Sequence, residues 1–165
     1  MSVGVSLEEL LAWNDEAAKF WKDHLNANPA QLELRCDIGG SLNVQQFIRH
    51  IRGVELRWAQ RLAGQAPLDK EKMPAGPLGA LFEMHLQAQT IFRELLSGPE
   101  ESWSKPYILE LDWVPPEERR VSRRKVAAHA LLHGQRHYAQ LATLVRAAGF
   151  PSKFRGDLLF SPALG

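Results

Sequence analysis

The stretch Val126-Ala-Ala-His129-Ala-Leu-Leu-His133-Gly-Gln-Arg-His137-Tyr-Ala-Gln-Leu141-Ala-Thr-Leu144-Val-Arg-Ala-Ala148-Gly149 decides the fold. On a wheel advancing about 100° per residue from Val126, residues Ala130, Leu141, Leu144 and Ala148 fall between about 0° and 60°, a single apolar stripe. A glycine directly after the last apolar position suits a left-handed C-cap. The chain is therefore expected to be helical from near Ser122 to Gly149, its longest helix. His133 and His137, at about 340° and 20°, sit in the middle of that stripe, and His129, at about 300°, sits on its edge.

Three more segments repeat the helical pattern upstream. Ser6-Leu-Glu-Glu9 has the reciprocal capping arrangement, and Leu10, Leu11, Ala17, Ala18, Trp21 and Leu25 carry an apolar face to about Asn26, ahead of Asn28-Pro29. Gln31 to Gly40 reads as an extended linker. Asn43 with Gln46 opens a second helix to about Leu62, with Phe47, Ile51, Val54, Trp58 and Leu62 in one stripe. After a loop from Gly64 to Gly76, Pro77 is placed as the first residue of a third helix that ends near Ser97-Gly98-Pro99. The alternating run Tyr107 to Trp113, closed by Pro115-Pro116, suggests a short strand or hairpin. With no repeat or low-complexity segment, the expected fold is all-α. It is a single domain over 1–165, an antiparallel four-helix bundle with a longer, partly extended connection between helices three and four.

Composition narrows the function classes. With 165 residues, 45% hydrophobic, the chain has enough material for one continuous core. A formal net charge of +1 gives no global field for nucleic acid. The lone Cys36 excludes an internal disulfide framework and thiolate-rich zinc sites, and points to a reducing, cytoplasmic setting. No segment approaches the roughly 20 apolar residues that a membrane helix requires.

The histidines carry the chemical signal. Two imidazoles on a core-facing stripe, one turn apart, gain no hydrogen-bond partner from Leu, Val or Ala, whereas a metal ion would use both lone pairs. A third ligand is expected from another helix. His50, the only histidine on helix two, lies at about 240° on the flank of that helix's stripe. His50, His133 and His137 are thus the candidate triad, with His129 at the rim and His85 in reserve. His24, in the last turn of helix one, reads as a cation at a helix C-terminus. Glu55, about 140° around helix two from His50, is expected to meet an arginine, a tryptophan N–H or a histidine in the core rather than the metal itself. Cys36 has no visible activator and reads as structural.

His50 followed by Glu55 and Trp58, His129-x-x-x-His133-x-x-x-His137 with Gln140 and Arg146-Ala-Ala-Gly149, and then Asp157-Leu-Leu together resemble the DinB/YfiT-like superfamily. The resemblance runs from helix two to the Asp157 segment. It implies a four-helix bundle, usually dimeric, with a divalent metal held by His50, His133 and His137. Members with assigned activities are metal-dependent thiol transferases that use bacillithiol, mycothiol or similar small thiols. The chain departs from the family pattern at Tyr138-Ala139, where arginine and glycine are common. Tyr107 to Pro116 corresponds to a variable segment near the family's metal pocket.

Three imidazoles leave coordination positions open, the arrangement of a catalytic metal. Zinc or nickel is the expected ion, although imidazole also suits iron and copper. The basic run Arg119-Arg120-Val-Ser-Arg123-Arg124-Lys125 offers a rim for an acidic thiol cofactor, with Arg123 and Arg124 as the candidate contacts. The expected activity is thiol S-transfer to a small electrophile by a homodimer, with neither nucleic acid nor membrane as partner. A metal-dependent hydrolase and a noncatalytic metal-binding stress protein are the competing readings.

Overall fold

The computed structural model describes residues 4–164. Four long helices carry the core: α1 (Leu7–Ala27), α2 (Val44–Leu62), α3 (Leu78–Leu96) and α4 (Arg123–Ala147). Their starts follow the capping residues. Ser6 Oγ accepts the Glu9 N–H at 3.0 Å while the Glu9 carboxylate accepts the Ser6 N–H at 2.6 Å. Asn43 accepts the Gln46 N–H at 2.9 Å, and Ser122 accepts the Lys125 N–H at 3.1 Å. Such caps each stabilise a helix by about 1 kcal/mol. Pro77 is the cap of α3, not its first residue, because its ψ of 155° is still extended. Gly149 ends α4 with φ +84°, a left-handed conformation that glycine adopts without strain.

α1 and α2 each pack against both α3 and α4, so α1 and α2 are diagonally opposed. Antiparallel packing holds for α2 with α4, since His50 lies beside His137 at one end and Leu62 accepts a bond from Arg123 at the other. It holds equally for α1 with α3, where Glu8 lies near Leu96 and Asp15 meets His85. The segment 63–77 folds back along α2, and Gln45 Nε2 donates to Gly76 O, so α3 starts beside the start of α2 and runs in the same direction. Trp21, Phe47, Ile51, Leu81, Phe92 and Leu141 fill the shared interior. Each contributes about 1.5–3 kcal/mol by leaving water.

The connections differ in part from the sequence expectation. The linker after α1 begins with a 3-10 turn, Pro29–Glu33, before an isolated bridge pairs Arg35 with Asn43. Between α3 and α4, strand β1 (Pro106–Ile108) pairs antiparallel with β2 (Arg120–Ser122), and Tyr107 faces Val121. Pairing therefore stops well short of Trp113. β2 has only three residues, the last of them Ser122, the cap of α4, so Leu111 to Trp113 have no ladder partner.

Candidate metal centre

Helical spacing on α4 and the cap of α2 together bring three imidazoles to one point. Ring centroids lie 5.3 Å apart for His50 and His133, 5.2 Å for His50 and His137, and 4.3 Å for His133 and His137. One ring nitrogen from each falls within 4.8 Å of the other two. The Nε2 atoms of His133 and His137 are 3.0 Å apart. Imidazoles bound to one ion at about 2.0–2.1 Å keep their nitrogens roughly 3–3.5 Å apart, so the α4 pair already has the spacing and His50 needs a small side-chain adjustment.

The donor set fits a cation. His137 Nδ1 lies 2.6 Å from Gln140 Oε1, which can only accept, so the proton is on Nδ1 and Nε2 carries the lone pair. His133 Nδ1 is buried without a hydrogen-bond partner. Burial, reinforced by His137, Lys70 and Arg136, pushes His50 down to about 4. Burial lowers His133 and His137 as well, in His133 with help from the neighbouring imidazoles. All three are neutral near pH 7, the form that binds metal. Gly39, at φ +63°, lies against the His50 ring: an added Cβ would sit 3.2 Å from its Nε2. Both the backbone and the space there require glycine.

With that geometry in place, the comparison with known families becomes decisive: the model of the DinB family matches residues 1–154. The chain belongs to the DinB family. No curated protein matches it significantly. In this DinB chain the group able to hold a metal comprises the same three histidines that the sequence singles out.

The other histidines have different tasks. The ring of His129 is 6.0 Å from His133 and 6.0 Å from Trp58, at the rim as expected. His24 Nε2 meets Gln31 Oε1 at 2.9 Å in the last turn of α1. His85 is not a reserve ligand: both its nitrogens are engaged in a separate buried cluster. Its Nδ1 meets Glu55 Oε2 at 3.0 Å, its Nε2 meets Asp15 at 2.9 Å, and Arg52 Nη1 reaches Glu55 at 2.8 Å. Asn14 donates to the same carboxylate. Burial opposes charge on both Glu55 and His85, but opposite charges outweigh it, so Glu55 is held below the usual carboxylate range and His85 above the usual imidazole range. Arg52 Nη1 also lies 2.7 Å from His85 Nδ1. That like-charge approach is offset by the two carboxylates, and two cations against two anions leave the cluster neutral.

The expected arginine contact of Glu55 is thus present, whereas Asn14 and Asp15 carry no periodic signal that would have marked them. Arg52, one helical turn before Glu55, was the available clue. Cys36 is buried, and burial raises its pKa, in keeping with a structural thiol.

Two adjoining clefts meet at the histidines. One, about 630 Å³, is lined by His129 and His133, and the other, about 540 Å³, by His50 and the Gly39-Gly40 turn. Val54, Arg57 and Lys70 line both. The cations on the larger cleft are Arg57, Arg61, Lys70, Lys125 and Arg136. Of the expected contacts, Arg123 donates to Leu62 O and stands over the Trp103 ring, while Arg124 is exposed. Sequence reasoning pointed to residues 119–125 because they are contiguous. Lys125 of that run does line the cleft, but its other cations, Arg57, Arg61, Lys70 and Arg136, come from α2, the 63–77 segment and the middle of α4.

Proposed function

We propose that this DinB-family protein is a metal-dependent thiol S-transferase in which His50, His133 and His137 hold a divalent ion, zinc or nickel, and a low-molecular-weight thiol is transferred to a small electrophile. The observation that carries this reading is the convergence of three neutral imidazoles, one with its tautomer set by Gln140, at the junction of two clefts. A divalent ion held there would act as a Lewis acid, favouring the nucleophilic thiolate of a bound thiol.

The protein's own groups would supply the rest. His50 borders one cleft and His133 the other, so two molecules can approach the same three nitrogens from different sides. That favours transfer between two substrates over hydrolysis of one. Arg136, whose Nη2 is 3.3 Å from His137 Nε2, brings a cation to where negative charge would gather. Arg123 and Arg124, at the start of α4, would hold the acidic groups of the thiol.

The test is turnover of an electrophile such as 1-chloro-2,4-dinitrobenzene with a panel of small thiols, using zinc- and nickel-loaded protein. Thiol-dependent turnover that disappears in His50→Ala and His133→Ala variants of unchanged helicity is expected. Turnover that is independent of thiol would overturn transfer in favour of hydrolysis, and thiol-dependent turnover that survives both substitutions would exclude the triad.

A further inference from the structure

Tyr107 to Trp113 alternates in the manner of a strand, yet β1 ends at Ile108. The alternation is used differently. Leu109, Leu111 and Trp113, every second residue beyond the strand, line the larger cleft. Trp113 is 80% exposed there, so a large aromatic surface stands open beside the histidines.

Facing that wall, Arg57 and Arg61 stand one turn apart on α2. Neither forms an ion pair among the described residues, Arg57 Nε is buried without an acceptor, and the Arg61 guanidinium lies 5.1 Å from the Trp58 ring centroid. The three ion pairs found among the described residues all belong to the His85 cluster. The cleft thus gathers five cations and one carboxylate, Glu118, in a chain whose net charge is only +1. Guanidinium groups without a carboxylate partner beside an apolar wall form a receptor for a molecule with one charged end and one apolar body.

We propose that this cleft takes the electrophilic substrate and that this substrate is an organic anion with a flat apolar body: its acidic group lies against Arg57 and Arg61, and its body against Leu109, Leu111 and Trp113. The proposal rests on the reading of the histidine cluster as the reacting centre, because it assigns the substrate of that centre. Adjacent positive charges that repel one another are relieved by an anion between them, and the exposed indole loses contact with water when the body stacks on it.

Calorimetric titration of the full chain with naphthalene-2-sulfonate and with uncharged 2-naphthalenemethanol tests this. The sulfonate is expected to bind at least about tenfold tighter at low salt, a gap that narrows in 1 M NaCl. The double variant Arg57→Gln, Arg61→Gln should abolish the preference, and Trp113→Ala should weaken both ligands. Arg61→Gln alone should reduce the preference about threefold, and it carries the test if the double variant loses helicity. Equal affinity for the two ligands, or a sulfonate preference that survives both the double and the single variant, would overturn the proposal. Zinc uptake by the same samples reports on the histidines separately: zinc uptake without sulfonate preference overturns the anion cleft alone, and sulfonate preference without zinc uptake overturns the reacting centre while upholding the anion cleft.

Discussion

Helix α2 carries parts of two buried polar clusters that solve the same problem in opposite ways. Toward α1 and α3, Arg52 and Glu55 join Asp15 and His85 in a group whose charges balance one another, although Arg52 Nε and Nη2 meet no acceptor among the described residues. Toward α4, His50 joins His133 and His137 in a neutral group whose ring nitrogens carry lone pairs and meet no carboxylate among the described residues. Polarity inside a bundle is costly unless partnered. The charges of the first cluster are paired by the chain itself, so it reads as structure; the second is left to an outside partner, so it reads as function.

The largest expected effect falls on the charge-balanced cluster. Arg52→Ala leaves Glu55 buried with less positive charge and should cost about 3–5 kcal/mol in urea denaturation, with metal stoichiometry unchanged in the folded fraction. A loss below about 1 kcal/mol would mean that the cluster is not the stabilising one. Gly134 comes next. A Cβ there would sit 2.6 Å from Asn14 Oδ1, pressing on the residue that links α1 to Glu55. Gly134→Ala should lower stability by about 1–3 kcal/mol in thermal melts through overpacking.

On the other cluster, Gln140→Leu removes the acceptor that fixes the His137 tautomer. Metal affinity should fall about 10- to 100-fold in competition with a chelator, while stability without metal changes little. Equal affinity in variant and parent would show that Gln140 does not orient the ligand.

The smallest effect is the pH dependence of the charged cluster on its alkaline side, since the lowered histidines of the triad cost stability on the acid side, below about 6.5. His85 is raised from 6.5, so its contribution to stability is complete below about 6.5 and is lost as pH rises through its higher folded value. Asp15 and Glu55 are lowered from 3.8 and 4.5, so theirs are complete above those values and are lost as pH falls through the lower folded ones. The cluster should therefore contribute in full between about 4.5 and 6.5. Asp15→Asn removes one partner of His85 and should move the alkaline loss to lower pH in denaturation series. Superimposable alkaline limbs would contradict the pairing.

The same division explains what could be read from the sequence. Helix ends at Ser6, Asn43, Ser122 and Gly149 are local, each set by a side chain or a φ angle within four residues, and they appear where the capping residues place them. The triad was legible because period 3.6 fixes the azimuths of His133 and His137 and because His50 is the only histidine on α2. Pairing of Pro106–Ile108 with Arg120–Ser122 was not legible, since the basic second strand carries little β signal. Nor was the role of His85, which depends on Asp15 from a helix far away in sequence. The cleft cations were hidden for the same reason: Arg57, Lys70 and Arg136 become neighbours only through packing.

The most direct test of the central claim is elemental analysis of the purified, untagged protein after exposure to zinc and to nickel, alongside His133→Ala and His137→Ala variants of confirmed helicity. The account predicts about one metal ion per chain in the parent and its loss in both variants. A parent that takes up no metal, or variants that retain it in full, would contradict the account.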